Sequence, residues 1–221
     1  MGEASGPLRG KDMGRVLQTF RCWPGPISSV VMTVITVGVV AWQWWAVPDD
    51  PLWFRFFVLF LMLLLCSAVA LPGILERHRV CEHGLVLGYG PTRSARYVVP
   101  WASVDPERVC MLRRSQLISR HQGMPQVSPH YRIGTGPLAY RSVAVHGLDT
   151  VSSEMQHRRR ETRYAWWILG SPQPEKIARA IEDAMVADGH TAARGLAARA
   201  MEQEIVVPWT PGPTPLRPRT R

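Results

Sequence analysis

The sequence predicts an α+β protein: a two-helix transmembrane hairpin followed by a mainly-β domain closed by a C-terminal amphipathic helix. Three observations carry this. Two long apolar runs occupy the first third of the 221-residue chain. The middle holds short segments rich in β-branched and aromatic residues, punctuated by Gly and Pro. A single stretch beginning at Pro174 repeats its apolar positions with the period of a helix.

Ile27 to Val47 carries no charged residue over 21 positions. At about 1.5 Å per residue, a helix of that length spans a hydrocarbon core of about 30 Å. Pro24 and Pro26 precede it and Pro48 ends it. The second run extends from Leu52 to Leu75, uncharged from Phe56 to Leu71, with Arg55 near enough to the end to extend its guanidinium to the headgroups. Only Pro48-Asp49-Asp50-Pro51 separates the runs. Four residues cannot recross a bilayer, so the two helices form an antiparallel hairpin. Trp42, Trp44, Trp45 and Trp53 flank that turn, at the interfacial depth tryptophan prefers.

Arg9, Lys11, Arg15 and Arg21 precede the first run, and Arg77 and Arg79 follow the second, while the turn carries two aspartates. The positive-inside rule therefore puts both termini in the cytoplasm, on a multi-pass protein of the cell membrane. A cleaved signal peptide is disfavoured, because its apolar core is usually about 7–15 residues and ends in a small-x-small site. This run is longer and ends in Trp-Ala-Val-Pro. Ser29, Thr33, Thr36 and Gln43 share one face of the first helix and are candidate helix–helix contacts. Their partner is either Ser67 and Ala68 of the second helix, or another copy or membrane protein.

Residues 1–26 read as a cytoplasmic tail, 27–75 as the hairpin (27–47 and 52–75), 76–190 as the cytoplasmic domain, and 191–221 as a weak helix with a Pro/Arg-rich disordered tail. In the domain, two short strands fold about His83-Gly84, where glycine tolerates the positive φ of a tight turn. Strands follow at Ala95–Val99 and Val104–Arg113, separated by a turn at Pro100 to Val104. Arg114 to Gly136 reads as a long loop. Further strands are expected at Ala139–His146 and Arg163–Leu169, with a basic loop between them. Pro174 starts the helix, Ile177, Ile181, Ala184 and Met185 form its apolar stripe, and Gly189 stops it. A barrel or strongly bent sheet would bury that stripe. Beyond it, Ala192–Glu204 reads as a weak helix capped by Thr191 and weakened by Gly195. Trp166 and Trp167 are adjacent on a strand, so one of them is expected at an edge, the bilayer or a partner.

The net charge is +9. Residues 76–190 carry 16 Lys/Arg against 11 Asp/Glu, and residues 191–221 carry five against two. Nearly all the positive charge is arginine, a bias that suggests a GC-rich, actinobacterial genome. A basic domain tethered at a membrane is drawn to anionic headgroups, which makes nucleic acid an unexpected partner. The four cysteines form no CxxC pair, so a zinc site or redox motif is not indicated, and reduced thiols fit a cytosolic compartment.

Gly84-Leu85-Val86-Leu87, then Val98-Val99-Pro100-Trp101-Ala102-Ser103-Val104, then Trp167-Ile168-Leu169 with Pro174-Glu175-Lys176-Ile177 resemble bacterial PH-like domains attached to transmembrane hairpins in small actinobacterial membrane proteins. The resemblance covers Arg79 to Asp188 and implies a PH-like barrel capped by the C-terminal helix. Its motifs are structural signatures, and the Arg114–Gly136 insertion departs from the family's compact pattern. It implies a fold far more than a function.

No reactive constellation is legible. The seven histidines are scattered without metal spacing, and Gly88-Tyr89-Gly90-Pro91 and Gly134-Thr135-Gly136-Pro137 lack the helix and the GK[ST] ending of a phosphate loop. Ser103 and Ser142 lack a GxSxG setting. No catalytic, metal or cofactor residue is expected, and the chain reads as a non-enzyme. The expected role is a membrane-anchored PH-like interaction or assembly module on the cytoplasmic face. The alternatives are an anionic-lipid-sensing domain, or an accessory subunit of a membrane enzyme or transport complex. Arginine forks suit phosphates on lipids or on a partner. The candidate contacts are accordingly Arg77, Arg79, Arg158, Arg159, Arg160 and Arg163.

Overall fold

The structure, a computed structural model, describes residues 10–21, 26–46, 51–89, 97–120, 140–148, 164–212 and 216. It is a mixed α+β fold. A 3-10 turn at Gly10–Met13 leads into strand β1 (Val16–Arg21). Two helices follow, α1 (Pro26–Ala46) and α2 (Leu52–Leu75). Strands β2 (Glu76–Cys81), β3 (Gly84–Tyr89) and β4 (Tyr97–Pro100) come next, then β5 (Val109–Arg113), β6 (Arg141–Leu148) and β7 (Tyr164–Gly170). Helices α3 (Pro174–Ala187) and α4 (Leu196–Glu202) and a two-residue strand β8 (Ile205–Val206) complete the order.

The strands form two sheets, β1-β2-β3-β4 and β7-β6-β5-β8, antiparallel except for the β5–β8 pair. The expected closed barrel is not what forms. Pro100 lacks the N–H that would extend the β4 ladder. Two 3-10 turns, Trp101–Ser103 and Pro106–Arg108, then carry the chain across to the second sheet. Ser103 ties the crossing down: its hydroxyl donates to the Pro100 carbonyl (2.7 Å) and accepts from the Leu148 N–H (3.1 Å).

The period of two along each strand divides the side chains cleanly. Val80, Leu85, Leu87 and Val99 of the first sheet meet Val109, Met111, Val143, Val145, Trp167 and Leu169 of the second in one core. Helix α3 lays Ile177, Ile181, Ala184 and Met185 into this core, the stripe expected from their spacing. The opposite face of the second sheet is covered as well. Cys110, Leu112, Ala144, Trp166 and Ile168 pack under Leu117, Ile118, Val207 and Leu216. Both Trp166 and Trp167 are therefore buried, correcting the expectation that one of the pair lies exposed. A sheet covered on both sides buries both members of an adjacent pair.

Two further expectations are corrected at the termini. Residues 1–26 are not all tail, because β1 pairs along β2 from Val16–Cys81 to Arg21–Arg77 and completes the first sheet. The hairpin is thus inserted between neighbouring strands of the domain. At the other end, β8 pairs in parallel with β5, and Val207 and Leu216 are buried. Gly195 does not weaken α4 but starts it, in the left-handed conformation that glycine tolerates (φ 74°). Glu182 on α3 accepts from the Gly195 and Ala197 N–H groups at 2.6 and 2.8 Å, a cap supplied by tertiary contact.

Gly84 also plays a different part from the one expected, since its φ is not positive. A Cβ there would stand 2.5 Å from the Val99 carbonyl and 2.6 Å from the Met13 sulfur, so the β2–β3 turn needs glycine for close approach. Trp101, fully buried, anchors the same turn. Its indole N–H lies 3.2 Å from the Cys81 carbonyl and 3.1 Å from that of Glu82.

Trp101→Phe removes this donor and part of the core volume, and is expected to cost about 1–3 kcal/mol. Gly84→Ala is expected to destabilise by at least as much as a common core change, because the obstructing atom belongs to the backbone. Denaturant unfolding of the full chain in detergent checks both, and wild-type midpoints for the two variants would contradict this account of the turn.

Candidate membrane-proximal interface

One helix is long and apolar enough to cross a membrane by length and composition. Ser29–Ala46 of α1 is an 18-residue window of mean hydropathy 1.5, of which only 6% is buried within the molecule. A core helix of a water-soluble protein would be mostly covered. The apolar run found in α2, Leu52–Ala68, is shorter. Val30, Val34 and Val37 of α1 and Phe56, Phe60 and Leu64 of α2 are each more than half exposed.

The two helices lie side by side along a narrow seam. Thr36 Oγ1 and Cys66 Sγ approach to 3.6 Å. Gln43 is buried, and the Arg55 guanidinium sits 5.1 Å over the Trp44 ring. The candidate face of α1 is thereby divided: Thr36 and Gln43 turn into the seam, whereas Ser29 and Thr33 are exposed. The Thr33 hydroxyl donates to the Ser29 carbonyl and the Thr36 hydroxyl to that of Met32, so neither leaves its donor unsatisfied.

At the root of the hairpin, β1 leads up to the link preceding α1, and β2 begins at the residue after α2 ends. Alternation along β2 sends Arg77 and Arg79 to the outer face and Glu76 and His78 to the core side. Arg21 is the direct cross-strand partner of Arg77, and Thr19 of Arg79. Three arginines thus share the outer face beside the hairpin. Arg21 is exposed, Arg77 half-buried and Arg79 buried. Burial holds the Arg79 pKa below its ordinary value, with the neighbouring Arg77 charge lowering it further and Cys81 opposing. Directly opposed like charges on adjacent strands are destabilising. Among the described residues, neither Arg21 nor Arg77 forms an ion pair.

On the core side, Glu76 and His78 are both about 1% exposed. Burial pushes the Glu76 carboxyl up to about 9 and the His78 imidazole down to about 4, so both are neutral near pH 7. The Gly170 backbone lies close enough to His78 to offset part of its shift, although neither ring nitrogen makes a hydrogen bond of standard geometry. Burial likewise raises the Cys110 thiol to about 12, which leaves it a packing residue rather than a nucleophile. A separate surface cluster fastens the β2–β3 turn to the end of α3: Asp188 lies 2.6 Å from His83 Nδ1 and 3.5 Å from His190 Nε2. Among the described residues, no three His, Cys, Asp or Glu side chains form a group that could hold a metal ion.

Of the arginines singled out from the sequence, the structure brings Arg77 and Arg79 together. Arg158, Arg159, Arg160 and Arg163 lie outside the described residues. It adds Arg21, missed as a site residue because β1 was read as tail. Val16, Thr19 and Phe20 were the available signal, being residues favoured in strands. No protein-family model matches the chain, and neither a curated protein nor a solved structure does.

The two neutral side chains make stability depend on pH in opposite senses. Glu76, raised from 4.5 to about 9, contributes stability that is full below 4.5 and is lost as pH rises through 9. His78, lowered from 6.5 to about 4, loses stability as pH falls from 6.5 toward 4, because only the unfolded chain takes up the proton there. The slopes nearly cancel between 4.5 and 6.5. Among the described residues the loss from there up to about 9 belongs to Glu76, and above 9 the raised Cys110 thiol adds a further loss. Glu76→Gln is expected to flatten the alkaline limb of a thermal-melting profile, by at least about 2–4 °C for each 1 kcal/mol regained. An alkaline limb as steep as wild type would contradict the buried neutral carboxyl.

Proposed function

We propose that the chain is a two-pass protein of the cytoplasmic membrane whose stacked sheets form a PH-like, non-enzymatic interaction or assembly module on the inner face, with both termini in the cytoplasm. The pairing of β1 with β2 carries this reading. Strands that exchange backbone hydrogen bonds lie on the same side of a bilayer. The hairpin is all that separates them in sequence, so it crosses an even number of times. If α1 crosses once, α2 makes the return, and its 24 residues reach about 36 Å. Removal of α1 as a signal sequence would cut β1 from the sheet it completes. The exposed apolar surface of both helices, the tryptophans around the hairpin turn and the arginines at its root support the same orientation. Two sheets facing one another over a shared core, with α3 packed into it, favour an open version of the PH-like architecture.

Impermeant thiol labelling of the full chain tests the topology. Asp50→Cys is expected to label in intact cells and Thr210→Cys only after lysis. Labelling of both in intact cells, or of Thr210→Cys alone, would sink the orientation. The module reading predicts that the chain solubilised from membranes recovers stoichiometric partners, and repeated recovery of the chain by itself would count against it.

A further inference from the structure

We propose that Arg21 and Arg77 together bind the phosphate of an anionic phospholipid of the inner leaflet, at the point where the hairpin enters the bilayer. This rests on the two-pass reading above and names a ligand that reading leaves open. The geometry concentrates positive charge in one place. Arg21 and Arg77 face each other as cross-strand partners, and Arg79 follows two residues along the same face of β2. Cα atoms of such partners are only about 5 Å apart.

Elsewhere around the sheets, arginines meet carboxylates: Arg15 with Glu82 at 3.5 Å, Arg113 with Glu204 at 2.8 Å, Arg141 with Glu175 at 2.6 Å. At the hairpin root this compensation is missing for Arg21 and Arg77 among the described residues. Glu76, next to Arg77 in sequence, points to the opposite face of the strand, and its burial keeps it protonated. Among the described residues two opposed guanidinium groups are thus left without a carboxylate on the outer face. A phosphate satisfies both at once, because each guanidinium presents a fork of N–H donors that matches its oxygens.

Depth identifies the source of that phosphate. Arg77 is the second residue after Leu75, the last of α2. Two residues of strand advance about 7 Å. The polar layer on each side of the hydrocarbon core is about 5–8 Å thick. With Leu75 at the hydrocarbon edge, Arg77 stands at the phosphates of the surrounding lipids, and Arg21 stands beside it. A lipid held there fixes the first sheet against the membrane surface, through the same two strands from which the hairpin rises.

The test uses the full chain in detergent, titrated with phosphatidylglycerol or phosphatidylcholine, with bound lipid counted by native mass spectrometry. Wild type is expected to retain phosphatidylglycerol preferentially. Arg21→Gln with Arg77→Gln should reduce that preference by about 30-fold, whereas Arg179→Gln with Arg194→Gln, exposed residues of α3 and of the turn before α4, should leave it unchanged. Unchanged preference in the first variant, or equal retention of the two lipids by wild type, overturns the proposal. Displacement of the lipid by inorganic phosphate at equal phosphate concentration would mark a free-anion site and overturn the lipid assignment. A matching melting profile shows that the first variant is folded. Arg21→Lys with Arg77→Lys, which keeps the charge without the fork, should recover part of the preference even if the glutamine pair is poorly folded. A chain washed from membranes by alkaline carbonate would bring down the two-pass reading as well. A chain that stays in the membrane but shows no lipid preference brings down this inference alone.

Discussion

The five residue pairs that join β1 to β2 hold the rest of the molecule in place. They close the first sheet with a strand that comes from the far side of the hairpin. Both ends of that hairpin are thereby brought to one spot. The helix-to-strand junction at Leu75–Glu76 has no intervening loop, so the orientation of α2 and that of the first sheet are coupled through continuous backbone. A domain hung on a flexible linker would sample many orientations over a membrane. Here the helical hairpin joins the domain through two adjacent strands.

The cost of that arrangement is visible at the root. Polar side chains end up on both faces of β2 where it leaves the helix: Glu76 and His78 toward the core, Arg77 and Arg79 away from it. Unpaired buried charge is expensive in a medium of low polarity, and titratable groups respond by becoming neutral. Glu76 and His78 follow that rule, one by keeping its proton and the other by losing it. The guanidinium groups have no such escape, since arginine stays protonated. Among the described residues no ion pair meets the charge of Arg77, and the surface nearest to it is the one through which the hairpin would leave the domain.

Much of the domain was legible along the chain. The apolar stripe Ile177, Ile181, Ala184 and Met185 is buried as its spacing implies, and Gly189, with φ 92°, ends the following turn. The strands near 84–87, 141–146 and 164–169 lie where alternation and β-branched content put them, whereas the strand expected over Val104–Arg113 begins only at Val109, because Asp105 caps a 3-10 turn at Pro106–Arg108. What escaped were features that only contact reveals. Nothing local to Val16–Arg21 says that its partner lies beyond two helices, since ladder partners can be any distance apart in sequence. Nothing local to Pro208–Leu216 says that Leu216 is buried against Trp166 and Ile168. Gly84 was noticed for the wrong reason, because its requirement comes from a carbonyl on β4 and not from its own φ.

Composition and periodicity by themselves determined the two apolar helices, the amphipathic α3 and the short strands, because each of these depends on residues a few positions apart. They also made the mixed α+β class plain. Tertiary structure decided that the sheets stack without closing, that the second sheet is covered on both faces, and that the hairpin interrupts the domain rather than preceding it. These are long-range pairings, set by which surfaces can be buried together. The order of residues along the chain does not state them.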